Sequence, residues 1–169
     1  TYRDKEGKLP WYLDKCIENK IEMGFKILEL TPDNYTCSPE HCSYKHFRDI
    51  CMPKLKQTKE KGIFICEGDV IIFENVNNIE QPDYPVWYGY KKKLCDYIVG
   101  NFLLWLPKNY YNIIQEEIDK NNNRLLFSDR FFTQLVNKNI IKLHHISIAN
   151  EIKHYSNVIK KIRSGLEIF

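Results

Sequence analysis

The chain reads as an α/β protein: one domain with a mixed, mainly parallel central sheet flanked by helices. Three observations predict this. Helix, glycine and strand follow one another twice, over residues 10–30 and again over 43–66, and such repeats imply right-handed crossovers and parallel strands. The run Gly62-Ile-Phe-Ile-Cys-Glu-Gly-Asp-Val-Ile-Ile-Phe-Glu74 is apolar and β-branched except at Glu67-Gly68-Asp69, which reads as a strand covered on both faces. With 169 residues, 43% of them hydrophobic, the chain can bury a substantial core, and residues 1–169 are taken as a single domain.

Taken in order, Leu9-Pro10-Trp11 opens a helix with proline near its first turn. Trp11, Leu13, Cys16, Ile17, Lys20 and Ile21 trace one helical face to about Met23, and Gly24 stops it. Phe25 to Leu30 then reads as a strand, and Thr31-Pro32-Asp33-Asn34 as a turn. A strand before the first helix is absent or reduced to Thr1-Tyr2-Arg3. A second helix starts near Ser43 and runs to about Lys59, with Tyr44, Phe47, Ile50, Cys51 and Leu55 on one face.

The central strand pair follows, then a polar loop from Asn75 to Pro85. Val86-Trp87-Tyr88-Gly89-Tyr90 leads into Lys91-Lys92-Lys93, and Tyr97 to Leu106 is a further strand. Pro107 starts a helix to about Asp119, with Tyr110, Ile113, Ile114, Glu117 and Ile118 spaced helically. Ser128-Asp129 opens a helix to Asn137 that carries Phe131, Phe132 and Leu135. Ile140 to Leu143 is a short strand before His144-His145, and Asn150 to Ile162 a terminal helix.

Composition narrows the function. A formal charge of +3 is too small to argue for nucleic acid. No stretch of eighteen apolar residues is present, so a membrane span is not expected. The bias toward Ile, Lys and Asn suits an AT-rich genome. The six cysteines are scattered, and Cys16 and Cys66 sit in apolar contexts where a thiol behaves as a small hydrophobe. Reduced thiols and a cytoplasmic setting (the host cytoplasm for a viral protein) are expected. Starting at Thr1 with no apolar leader, the chain reads as a processed product or an excised domain. Walker, GxSxG and GxGxxG motifs are absent, which removes the anchors for P-loop, hydrolase and dehydrogenase readings.

Three constellations carry chemistry. Burying Glu67 and Asp69 inside an apolar run is costly unless compensated. The strand is therefore expected to end at Cys66, with Gly68 turning the chain so that both carboxylates face a cleft at the carboxyl end of the sheet. Two carboxylates one residue apart can share a hard divalent cation, Mn²⁺ or Mg²⁺; the plain alternative is an inert hairpin turn. Asp129, His144 and His145 are later residues that can join such a site, against an N-cap role for Asp129 and structural roles for the histidines. Cys37, Cys42, His46 and Cys51 form a possible zinc set, although one helix cannot wrap its own residues around a metal. Trp87 and Tyr88 beside three lysines suit stacking on a sugar or base, or else an edge strand with a solvated basic turn.

The order of these pieces resembles a GT-A glycosyltransferase, most like the family-25 group that includes lipopolysaccharide and collagen glycosyltransferases. The matching segments are Cys42-Ser43-Tyr44-Lys45-His46, Ile65-Cys66-Glu67-Gly68-Asp69-Val70, Gly100-Asn101-Phe102-Leu103-Leu104-Trp105-Leu106-Pro107 and Ser128-Asp129-Arg130-Phe131-Phe132. They cover roughly residues 40–135. Gly68 stands where the family has the middle Asp of Glu-Asp-Asp, and the Ser-His pair is split by two residues.

The resemblance implies a GT-A fold and transfer of a sugar from a nucleotide-diphosphate sugar, a UDP-sugar foremost, to a hydroxyl of a glycan or protein acceptor. Asp69 and Glu67 are then the Mn²⁺ or Mg²⁺ ligands, with His145 or His144 as a further ligand. Asp129 is the general base or acceptor-orienting group. Tyr2, Arg3 and Arg48, with Glu67, contact the nucleotide, and Trp87 and Tyr88 stack on the acceptor. The competing reading is a non-enzymatic α/β module binding nucleic acid or a protein partner, or one stabilised by zinc through Cys37, Cys42, His46 and Cys51.

Overall fold

A computed structural model of the chain describes residues 11–27, 44–66, 68, 70–91, 98–120, 128–147 and 159–161. Its helices are α1 (Trp11–Glu22), α2 (Met52–Gln57), α3 (Tyr111–Lys120) and α4 (Ser128–Asn137). Its strands are β1 (Gly62–Cys66), β2 (Val70–Ile72), β3 (Val86–Lys91), β4 (Ile98–Pro107), β5 (His144–Ser147) and β6 (Ile159–Lys161). The main sheet has the order β1-β4-β3-β5, and β2 pairs with β6 in a second, two-stranded sheet.

The α/β class holds, but the mainly parallel sheet does not appear among the described residues. The pairs β1–β4, β3–β4 and β2–β6 are antiparallel, and β3–β5 is parallel. The physical reason is β4, which enters between β1 and β3 running opposite to both. It thereby holds two like-directed strands apart where a crossover would have set them side by side.

The main sheet is covered on both faces, as its apolar strands require. Side chains alternate with period two along each strand. Ile63, Ile65, Trp87, Leu104 and Leu106 join one cluster with Phe47, Met52 and Leu55 of the second helical segment, Ile114 and Ile118 of α3, and Phe131, Phe132 and Leu135 of α4. Phe64, Cys66, Val86, Tyr88, Leu103 and Trp105 join the other with Val70 and Ile72 of β2, Ile79, and Met23 and Phe25 beyond α1. Three layers result: helices, main sheet, and β2 with the end of α1. Burying each large side chain here contributes about 1.5–3 kcal/mol. Phe47, Phe131 and Phe132 make tilted and edge-on ring contacts at centroid separations of 5.0–6.0 Å, geometry that the ring quadrupole favours.

Local chemistry sets the element ends. Gly24 has φ +85°, with its N–H donating to the Ile21 carbonyl and that of Phe25 to the Lys20 carbonyl. Asn139 (φ 55°) ends α4 in the same way, through Asn139 N–H to Val136 O and Ile140 N–H to Leu135 O. Both are left-handed Schellman stops. Residues 44–57 are helical but interrupted by a π turn at Phe47–Cys51, where the Met52 N–H reaches back to the Phe47 carbonyl. Pro53 explains it: proline has no N–H, and its ring crowds the carbonyl four residues back, which a wider turn relieves.

Four further expectations change. Residues 25–27 are not strand, because the α1 stop uses the Phe25 N–H. The strand expected from Ile140 begins at His144, as β5, since residues 138–141 complete the α4 stop. Ile159–Lys161, expected in a helix, pair with β2. Finally, β3 is an interior strand flanked by β4 and β5, not an edge.

Candidate functional site: the acidic turn after β1

β1, β3 and β5 all run in one direction. Cys66 at the end of β1 lies in one row with Leu103, Tyr88 and Ile146. The carboxyl ends of the three strands therefore share an edge of the sheet, the edge at which open α/β sheets bind ligands. The chain leaves β1 there through Glu67-Gly68-Asp69 and enters β2. Gly68 is an exposed turn residue. The turn does not close a hairpin, because β1 pairs with β4 and β2 with β6. It carries the chain from the main sheet to the second one. Glu67 and Asp69 themselves lie outside the described residues.

What fixes this crossing is α1. Lys20 is only 6% exposed, and its Nζ donates to the carbonyls of Cys16 (3.1 Å), Gly68 (3.1 Å) and Val70 (2.7 Å). Three donors on an ammonium meet three acceptors, which offsets the cost of burying the charge. The neighbouring Asn19 uses its amide like a strand backbone: Nδ2 donates to Ile72 O at 2.9 Å, and Oδ1 accepts from Ile72 N–H at 2.8 Å. β2 is thus satisfied by Asn19 at Ile72 as well as by β6. Neither residue was among the expected site residues. The available signal was a lysine at position 20 on the stripe Leu13, Cys16, where an apolar residue belongs.

The other expected residues are dispersed. Trp87 and Tyr88 are 2% and 3% exposed, on opposite faces of an interior strand, so neither has a face for an acceptor. Burial raises the Tyr88 phenol pKa, with Glu80 adding to the effect. Their burial also takes Trp87 and Tyr88 out of any nucleic-acid surface built on that segment.

His144 is exposed, with its ring 6.0 Å from that of Tyr84, and it sits level with Val86, Trp105 and Phe64. β5 lies three strands from β1, about 14 Å at normal strand spacing. That places the His144 and His145 backbone roughly 15 Å from Cys66.

Arg48 lies in the π turn of the helix layer. It donates to Asp49 through Nε (2.6 Å) and an Nη (3.0 Å), an arrangement that commits its fork to a neighbour. Asp129 is in the first turn of α4, which packs in the helix layer. Its side chain, like Tyr2 and Arg3, lies outside the described residues.

Of the expected zinc set, His46 and Cys51 approach, with Sγ 3.6 Å from Nδ1. Cys37 and Cys42 lie outside the described residues. Burial pushes the Cys51 thiol up to about 12. Among the described residues no group of three or more His, Cys, Asp or Glu is placed to hold a metal. Likewise, among those residues no helix is long and apolar enough to cross a membrane. Comparisons with protein families, with curated proteins and with solved structures find no match.

Proposed function

We propose that the protein is a metal-dependent glycosyltransferase of GT-A type, moving a sugar from a nucleotide-diphosphate sugar to an acceptor hydroxyl. One observation carries the reading: the acidic turn leaves β1 at the edge shared by the carboxyl ends of β1, β3 and β5, and buried α1 side chains pin its backbone. A divalent-cation site needs carboxylates, and the sequence of this turn carries two.

Two carboxylates are hard oxygen donors and suit Mn²⁺ or Mg²⁺ beside phosphate oxygens. Asp69 and Glu67 are the residues proposed to hold it. When bound, the ion supplies charge compensation for the departing diphosphate. Asp129 is proposed as the base or orienting group for the acceptor hydroxyl, and Tyr2 and Arg3 as nucleotide contacts. A UDP-sugar is the first donor to try, with a glycan or protein hydroxyl as acceptor.

The test is thermal unfolding against a panel of nucleotide diphosphates and nucleotide sugars, with and without Mn²⁺. A ligand at a hundred times its Kd adds about 2.7 kcal/mol, or roughly 5–10 °C for a chain of this size. The expected outcome is a Mn²⁺-dependent rise for one nucleotide, lost in Asp69→Asn. Failure of every nucleotide to raise the melting point overturns the reading.

A further inference from the structure

Four of the eight residues from Lys54 to Lys61 are lysine, and Glu60 is the only carboxylate among them. The run covers the end of α2 and the bend that leads into β1. A fifth lysine arrives from the end of β4. Gly62 stands opposite Pro107 in the β1–β4 ladder, so Lys108 falls beside Lys61. Its backbone N–H donates to the Lys61 carbonyl at 2.7 Å, and its Nζ donates to the Thr58 carbonyl at 2.6 Å. Lys56, Lys59, Lys61 and Lys108 are exposed, and none of them meets a carboxylate in an ion pair among the described residues. Asp83 comes to the same corner, where its carbonyl accepts from Asn109 Nδ2 at 3.0 Å, so four exposed lysines stand against two carboxylates, Glu60 and Asp83. Tyr111, the first residue of α3, adds an aromatic ring: it is half-buried, and Lys56 Nζ lies 5.6 Å from the ring centroid.

We propose that this corner binds single-stranded nucleic acid, with phosphates on Lys59, Lys61 and Lys108 and a base against the Tyr111 ring beside Lys56. Like charges gathered on one surface repel one another, and a polyanion relieves that repulsion. Averaged over the chain, a charge of +3 argues for no such partner; the β1–β4 register gathers the lysines at one place, and α3 sets the ring among them. Lysines along a backbone path with an aromatic ring between them are the two parts that single-strand binders combine. Tyr111 packs against the helix-layer core, so its ring is a fixed platform and is not free to enter a bilayer. The bases of a duplex are stacked on one another and offer such a ring no face, which favours a single strand. The corner lies at the amino end of β1, the opposite end from the acidic turn, and its role does not depend on the reading of that turn.

The experiment measures fluorescence anisotropy of labelled oligothymidylate and oligouridylate, each of about 20 nucleotides, between about 50 and 200 mM salt. Each phosphate neutralised on a single strand adds about −0.7 to the slope of log affinity against log salt, so three or four contacts give about −2 to −3. In the double variant Lys59→Gln/Lys61→Gln the slope is expected to become shallower by about 1.4, and affinity at the lowest salt to fall at least about fivefold. Lys15→Gln/Lys26→Gln makes the same charge change in and just beyond α1, in the layer on the other face of the sheet, and is expected to bind like wild type. Tyr111→Leu is expected to lose about fivefold or more with the slope unchanged, and Tyr111→Phe to keep wild-type affinity. Both lysine variants change exposed side chains only, so they test the corner even if Tyr111→Leu does not fold. No binding of either oligonucleotide by wild type, with or without binding to phosphatidylserine vesicles, overturns the proposal, as does an equal loss in the two double variants. Unchanged affinity in folded Tyr111→Leu, or equal affinity for a duplex of the same length, overturns the assignment to a single strand.

Discussion

Replacing Asn19 with alanine removes both hydrogen bonds that tie α1 to the backbone of Ile72, at 2.8 and 2.9 Å. Ile72 is fully buried, so water cannot freely replace the lost partner. Each net hydrogen bond contributes about 0.5–1.5 kcal/mol, so the pair is worth about 1–3 kcal/mol. Alanine is the better helix former and returns about 0.5 kcal/mol. The net loss is therefore about 0.5–2.5 kcal/mol, which for a domain of this size lowers the melting temperature by roughly 1–10 °C. Calorimetry measures the total, and amide exchange locates it: the Ile72 N–H loses an acceptor, so its protection is expected to fall by about tenfold while core amides of β4 change only with global stability. An unchanged melting temperature together with an unchanged Ile72 amide would refute the claim that Asn19 completes β2.

Gly24→Ala forces a Cβ into the left-handed region at φ +85° and within 3.2 Å of Val76 Cγ1; it is expected to cost about 1–2 kcal/mol in denaturant titration. Gly62→Ala sets a Cβ 2.8 Å from the Pro107 Cα and against the Leu106 carbonyl, and so is expected to disrupt the β1–β4 ladder and sharply lower the urea midpoint. Trp87→Ala truncates a side chain that is 2% exposed in the core; a loss of about 3–5 kcal/mol is expected, whereas an acceptor-stacking residue on the surface would lose activity with little change in stability. At pH 8, Cys51, with its thiol raised to about 12 by burial, resists alkylation until the protein unfolds. As pH rises toward 12, the folded state holds its thiol proton longer than the unfolded chain, so this group's stabilisation is lost with increasing pH. Mass spectrometry of labelled peptides checks the alkylation.

Much of the fold was written in local pattern. The helical stripes at Tyr44, Phe47, Cys51 and Leu55, at Ile114 and Ile118, and at Phe131, Phe132 and Leu135 all become core. Gly24 stops α1 as a glycine there should. The apolar run around the acidic turn predicted a strand buried on both faces, and β1 has one. Periodicity reports which side of an element is dry, because an apolar stripe must be covered whatever covers it.

Pairing and direction were different. Helix, glycine and strand in succession suggest parallel neighbours, yet β4 inserts antiparallel between β1 and β3. An antiparallel partner distant in sequence leaves no trace in local composition. The same holds for Trp87 and Tyr88: aromatics beside lysines look like a surface platform until β4 and β5 flank their strand, the helix layer covers Trp87, and β2 with the end of α1 covers Tyr88.

The sequence by itself determined the α/β class, the helical segments within residues 11–137, the Gly24 stop, many core positions and a turn at the end of an apolar strand, because these follow from residue chemistry within a few positions. Only the tertiary structure decided that the turn joins two sheets, that His144 and His145 sit across the sheet from it, and that Lys20 and Asn19 hold it. Those facts depend on contacts between separate segments of the chain, where hydrogen-bond geometry and strand order, not local preference, select the partner.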